Sequence, residues 1–134
     1  MYGDVHLTSR AALGLFPYTH FGVEMQGGGI CENSPAGVRI VSLPDFARGD
    51  ATRVRNPDAT ASERARAVER AASRIGERRY SLTANNCEHF ANWCATGAAV
   101  SHQVIAFIAA FARMVFAAAV SLLAVSLARA TLAE

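Results

Sequence analysis

Asn85-Asn86-Cys87-Glu88-His89-Phe90-Ala91-Asn92 is the stretch on which the reading of this chain turns. Asn85 and Asn86 are favoured helix caps and Gly97 is a natural stop, so a helix is predicted over 87–96. Cys87 would then occupy its first turn. Free backbone N–H groups and the positive end of the helix favour a thiolate there. The thiolate is the nucleophilic form, so Cys87 is a candidate nucleophile with a depressed pKa. The competing reading is a small buried core residue, the usual fate of a free cysteine.

Upstream lies a second helix. Thr60-Ala61-Ser62-Glu63 fits a capping box, and Ala65, Val68, Ala72 and Ile75 recur at helical spacing. Arg64, Arg66, Arg70 and Arg74 would form its solvated face, and Gly76 would end it. Before this helix the chain reads as strands. Gly3–Leu7 starts one, and Arg10–Phe16 is ambiguous. Tyr18–Met25 and Ile30–Asn33 flank Gln26-Gly27-Gly28-Gly29, whose glycines suit a tight hairpin. Val38–Leu43 is a strand closed by Pro44, Arg53–Arg55 a short one, and Asn56-Pro57-Asp58 a turn. Tyr80–Leu82 reads as another short strand. Strands first and helices after give an α+β fold, a small antiparallel sheet packed on helices 61–75 and 87–96.

Composition narrows the function classes. The chain has 134 residues, 51% hydrophobic and 18% charged, which fits one domain with a real core and not disorder. A net charge of +2 implies no nucleic-acid partner. All 13 basic residues are arginine, so no lysine nucleophile, Schiff base or P-loop lysine exists in this chain. Three cysteines without a CxxC pair describe neither a disulfide framework nor a structural zinc site. The start, MYGDVHLTSRAALGLF, does not read as a signal peptide, so a reducing compartment is expected.

The segment Tyr80–Asn92, YSLTANNCEHFAN, resembles the active-site segment of the lecithin:retinol acyltransferase (LRAT) domain family, with Asn86–Phe90 matching its NCEHF signature. Gly3-Asp4-Val5 resembles the family's opening strand, and Tyr18–Val23 its histidine strand. The resemblance covers nearly the whole chain. It implies a circularly permuted papain-like fold, Cys87 as nucleophile and His20 as general base and acid. One place departs: where the family's hairpin carries a second histidine, this chain holds Glu32. In a three-residue Gln26-Gly27-Gly28 loop, Met25 pairs with Gly29 and Gly22 with Glu32, so His20, Gly22 and Glu32 face the same way. His20 and Glu32 are then diagonal neighbours. A carboxylate there can fix the imidazole tautomer and favour an imidazolium beside a thiolate. The plainer reading is an exposed strand residue in a decayed triad. Asn33 and Glu24 are weaker candidates for the same role. His89 reads as structural, His6 and His102 as incidental, and Cys31, Cys94 and Trp93 as core. The N–H of Cys87 is the obvious oxyanion donor.

After Ala95 the only charged side chains are Arg113, Arg129 and Glu134. Val104–Ala128 holds twelve Val, Ile, Leu or Phe residues. They offer about −5 kcal/mol of insertion free energy against about +3 for Arg113. The expected organisation is a catalytic domain over 1–97 and an apolar helical segment over 98–134 that associates with a membrane, the catalytic part lying in the cytoplasm. The expected function is acyl transfer or hydrolysis at phospholipid or other lipid esters through a cysteine thioester, with no cofactor or metal. A cysteine amidase or peptidase, and a non-catalytic membrane interaction module, are the alternatives.

Overall fold

The computed structural model describes residues 1–12 and 16–131. The chain forms two compact units, divided between Ser101 and His102. Leu13–Leu15, inside the segment of ambiguous sequence pattern, lie outside the described residues.

The first unit is built on one sheet. Its strands are β1 (Val5–Ala12), β2 (Phe16–Glu24), β3 (Ile30–Ser34), β4 (Gly37–Val41) and β5 (Thr52–Val54), in the order β4-β3-β2-β1-β5. Every neighbouring pair is antiparallel. The β2–β3 hairpin has the register that its loop length predicts. Met25 N–H donates to the Gly29 carbonyl at 2.7 Å, and Gly22 pairs with Glu32. Gly27 and Gly28 carry the turn at φ of 94° and 87°, which a side chain would oppose.

The strand expected over Val38–Leu43 stops at Val41. Ser42 instead caps a short helix, α1 (Leu43–Ala47), its side chain accepting from Asp45 N–H at 3.2 Å. Serine at the cap and Pro44 in the first turn are helix-start chemistry; the proline closes the strand by opening a helix. No strand forms over Tyr80–Leu82, where Ser81 and Asn85 make only an isolated bridge.

Helix α2 (Ala61–Ser73) starts at the predicted capping box, with Thr60 N–H donating to Glu63 at 2.8 Å. Its buried face differs from expectation. Ala65 and Ala72 are exposed and Ile75 is 48% exposed, whereas Arg64, Ala67 and Ala71 are buried. Alanine gives little periodic signal, and here its small size decides the face by allowing close approach. Arg64 is also not part of a solvated face. It donates to the Ala59 and Pro57 carbonyls at 2.9 and 2.8 Å and ion-pairs with Asp4. Arg70 and Arg74 are half-buried. Arg70 bonds the Cys94 carbonyl at 2.8 Å, and Arg74 lies over the Trp93 ring, 5.1 Å from its centre.

Helices α2 and α3 (Cys87–Thr96) cover one face of the sheet. Val5, Phe21, Val23, Cys31 and Val38 pack there against Ala67, Ala71, Cys87, Phe90, Ala91 and Cys94. The opposite face is polar: His6, His20, Glu24, Glu32 and Arg39 bond one another across it. Phe46 of α1 lies over that face. A Cβ at Gly22 would collide with Ile30 and Phe46, so glycine there lets α1 settle on the sheet.

The second unit is helix α4 (His102–Thr131). The stretch His102–Ala130 is long and apolar enough to cross a membrane, and its large apolar side chains from Ile105 to Leu127 are exposed. At 1.5 Å per residue, 29 residues reach about 43 Å, beyond the ~30 Å hydrocarbon layer.

Candidate active site

Three elements carry the sequence candidates: His20 of β2 and Glu32 of β3 meet on the polar face, and Cys87 at the start of α3 reaches the edge of β2. Asn86 caps α3, its Oδ1 accepting from the N–H groups of Glu88 at 2.9 Å and His89 at 3.0 Å. His89 Nδ1 accepts in return from Asn86 N–H at 3.4 Å, so His89 is structural, as expected. Glu88 is buried and takes a 2.7 Å hydrogen bond from Ser101. The Asn33 side chain bonds the Asn85 carbonyl at 2.8 Å, tying the segment before the helix to β3. These contacts fix the first turn of α3, and with it Cys87.

Cys87 sits against β2, its Sγ 3.9 Å from the Thr19 carbonyl oxygen. The Phe21 N–H also points at the sulfur. Thr19 and Phe21 flank His20, and both groups lie on the edge of β2 that faces away from β1. Strand β3 leaves that edge after the Gly22–Glu32 pair. The thiol therefore fills the notch where the two strands part.

His20 is buried, and its Nε2 lies 2.8 Å from Glu32 Oε2. With Nε2–H given to an ionised carboxylate, Nδ1 keeps the lone pair. The Phe46 ring centre stands 5.2 Å from the imidazole, and Tyr18 meets it edge-on at 6.4 Å. Glu32 is not the exposed residue of the plainer reading. At 2% exposure it accepts from His20, and from Arg39 Nε at 3.1 Å and Nη2 at 3.0 Å. Burial opposes its charge, but His20 and Arg39 together hold its carboxyl below the ordinary 4.5. Of the weaker candidates, Asn33 is engaged with Asn85, and Glu24 pairs with His6 at 2.8 Å.

The expected thiolate–imidazolium pair is not what this environment favours. Burial pushes the Cys87 thiol above its ordinary 9.0, although the N–H groups of Phe21, Glu88 and Cys87 itself pull the other way. Burial likewise pushes His20 below 6.5, outweighing the hydrogen bond to Glu32. Both groups are driven towards neutrality. Cys31 and Cys94, buried in the core, are pushed up to about 12. Tyr80 is also pushed up to about 12, by burial first and then by Cys87 and Tyr18.

Sequence reasoning missed Arg39 and Phe46. Arg39 was legible: a two-residue Pro35-Ala36 loop pairs Ser34 with Gly37, and so Glu32 with Arg39. Phe46 was hidden by reading Leu43 as strand. Among the described residues, Asp4, His6 and Glu24 offer metal-ligand atoms within 4.8 Å of one another. Those groups are taken up by each other, by Arg64 and by the Met1 amine.

The family model described as lecithin retinol acyltransferase matches residues 2–100. Lecithin retinol acyltransferase of Mus musculus is 34% identical over 84 residues, covering 60% of this chain and 36% of that protein. The Bos taurus protein of the same name is 36% identical over 76 residues, covering 54% and 33%. This chain thus spans about a third of the length of these relatives. The match takes in β1 to β5 and α1 to α3, and with them His20, Glu32 and Cys87, and the chain belongs to the lecithin retinol acyltransferase family.

Proposed function

We propose that this chain is a thiol-dependent acyltransferase or acyl hydrolase of lipid esters, working through a thioester on Cys87. The observation that carries it is the buried 2.8 Å bond from His20 on β2 to Glu32 on β3, with the Cys87 sulfur against β2 at Thr19 and Phe21. Family membership supports acyl transfer, the activity in the relatives' name. A circularly permuted papain-like chain order follows from the same reading, with residues 1–97 as the catalytic domain and 98–134 as the anchor.

The steps follow from the neutral resting pair. Cys87 Sγ–H gives its proton to His20 Nδ1 as sulfur attacks the ester carbonyl. Backbone N–H groups at the start of α3, that of Cys87 among them, face the developing oxyanion. His20 then protonates the leaving alcohol, and the acyl group stays on sulfur. Water or an amine next attacks the thioester. His20 takes the acceptor's proton and returns it to the departing sulfur. Glu32 keeps Nε2–H bonded throughout and stabilises the imidazolium that forms in each half-reaction.

A glycerophospholipid is the proposed substrate, because α4 would hold the catalytic part at the bilayer surface where such esters lie. The catalytic part is assigned to the cytoplasmic side, where Cys87 stays reduced. The test is hydrolysis of phosphatidylcholine vesicles by the wild type and by Cys87→Ala, with mass spectrometry of trapped enzyme. Lost activity and an acyl adduct on Cys87 are expected. Full activity in Cys87→Ala, or an adduct on Cys31 or Cys94, refutes the assignment. Cleavage of peptide or amide substrates with inert lipid esters moves the protein to the amidase class.

A further inference from the structure

Glu32 does not face His20 alone. One carboxylate oxygen, Oε2, is bonded to His20 at 2.8 Å, and the other, Oε1, takes both Nε and Nη2 of Arg39 at 3.1 and 3.0 Å. Arg39 stands directly across the β3–β4 pair from Glu32, with its side chain 48% exposed while Glu32 is 2% exposed. The other cations around the pair are placed differently. Arg10 Nη2 is 3.8 Å from Oε2, but donates to the Phe46 carbonyl at 2.5 Å. Arg48, at the end of α1, acts on His20 only through its charge. Asp45 of α1 shares a surface cavity of about 390 Å³ with Arg39 and Arg48.

A neutral histidine in the place of Glu32 needs no counter-charge. A carboxylate at that depth does, because an unpaired buried charge is strongly destabilising. It also needs orientation, since a glutamate has more rotors than its one bond to His20 can fix. We propose that Arg39 is a positioning residue for the acyl-transfer reaction: it clamps Oε1 of Glu32 and so turns Oε2 onto His20. The inference rests on the assignment of Cys87, His20 and Glu32 above. Glu32 and Arg39 thus act as one unit, a charged replacement for the second histidine.

Arg39 acts on His20 through Glu32: paired with Oε1 it offsets part of the carboxylate charge that favours an imidazolium, so its removal makes the imidazole more basic. The experiment uses the full chain in detergent and a short soluble ester, with pH profiles of kcat/KM for wild type, Arg39→Gln, Arg39→Lys, Glu32→Gln and the Glu32→Gln/Arg39→Gln double variant. Arg39 lies on an edge strand with half its side chain in solvent, and thermal melts followed by Trp93 fluorescence check that each variant is folded. In Arg39→Gln the acid limb should move up by about half a pH unit or more. Its kcat should fall about tenfold with KM unchanged. Arg39→Lys keeps the charge, so its acid limb should stay within about 0.2 unit of wild type. In the Glu32→Gln background, loss of Arg39 should move the limb no further. An acid limb left in place in Arg39→Gln, or moved equally in Arg39→Lys, overturns the proposal. Cys87→Ala separates the two layers. Activity surviving in it overturns the site and Arg39's role together; activity lost in it, with Arg39→Gln indistinguishable from wild type, overturns Arg39's role alone.

Discussion

Replacing Glu32 by alanine should damage the fold and the chemistry together, by amounts the surroundings set. Glu32 is 2% exposed, and its carboxylate meets His20 at 2.8 Å, Arg39 at 3.0 and 3.1 Å and Arg10 at 3.8 Å. Alanine leaves the His20 N–H facing a space with no acceptor and takes the opposite charge away from Arg10, whose Nη2 keeps the Phe46 carbonyl. Breaking a buried ion pair from one side costs about 3–5 kcal/mol. Arg39 can turn to water, which places Glu32→Ala at the lower end of that range. Glu32→Gln keeps an acceptor for His20 and the volume, so about 1–2 kcal/mol is expected. For a unit of this size about 4 °C accompanies each kcal/mol, so Glu32→Ala should melt about 12 °C below wild type and Glu32→Gln about 4–8 °C below. Trp93 is the only tryptophan, and its fluorescence reports the first unit without the signal of α4. Acid should erase the difference. The folded carboxyl lies below 4.5, so its contribution is complete above pH 4.5 and is lost as pH falls through the lower folded value. A Glu32→Ala melting point within about 2 °C of wild type at pH 7.5 would refute the reasoning, since it would mean that the buried carboxylate neutralises nothing.

Three further outcomes follow. Because burial lifts the Cys87 thiol above 9.0 and lowers His20 below 6.5, the iodoacetamide alkylation rate at Cys87 should still be rising at pH 9, and the acid limb of kcat/KM should fall below pH 6.5; a plateau by pH 7 contradicts this. Stability should also decline as pH drops below 6.5, since unfolded His20 takes a proton there and folded His20 only at lower pH; a flat urea midpoint between pH 6.5 and 5 would count against it. Truncation after Ser101 should release the protein to the soluble fraction and slow hydrolysis of vesicle lipid about tenfold or more, leaving a soluble ester within about threefold; a truncated chain that fails to fold shows instead that α4 belongs to the core.

The parts of this fold written in local chemistry were legible in the sequence. Thr60 with Glu63, Asn86 before Cys87, Gly97 after Thr96 and the glycines of the β2–β3 turn each satisfy or release a particular backbone group, and each sits where the sequence places it. The hairpin register followed from loop length, and it brought Glu32 to His20. The buried face of α2 was less legible because it depends on distance between elements. Ala67 and Ala71 are buried for their small size, and Arg64 for the distant Asp4 carboxylate together with the Pro57 and Ala59 carbonyls of the turn before the helix. Helix α1 is hidden in the sequence because Pro44 reads equally as a stop for the strand, though Ser42 before it is a cap. The polar face of the sheet escaped for a further reason. Alternation predicts that a strand has two faces, but a row of His, Glu and Arg reads as solvent-facing until something is known to cover it.

The protonation state of Cys87 shows how far local chemistry reaches. A helix start favours a negative charge by about 0.3–1 kcal/mol, and up to ~2 in partly buried geometries. Removing a charged group from water costs several kcal/mol. Cys87 is 3% exposed and His20 is also 3% exposed, so desolvation outweighs the helix end at one partner and the Glu32 bond at the other. Both are driven towards neutrality, and in the proposed mechanism charge separation is deferred to the moment of attack. In that case the value of Glu32 is not in holding a preformed imidazolium. It is in lowering the free energy of an imidazolium that exists only while sulfur is bonding to carbon, which is the differential stabilisation that speeds a step. A neutral histidine in that position would offer a hydrogen bond without a charge. A bare carboxylate would offer too much charge, raising the basicity of His20 until it was protonated at rest. A carboxylate shared with Arg39 lies between those limits, and the sequence supplies both members seven residues apart on one hairpin.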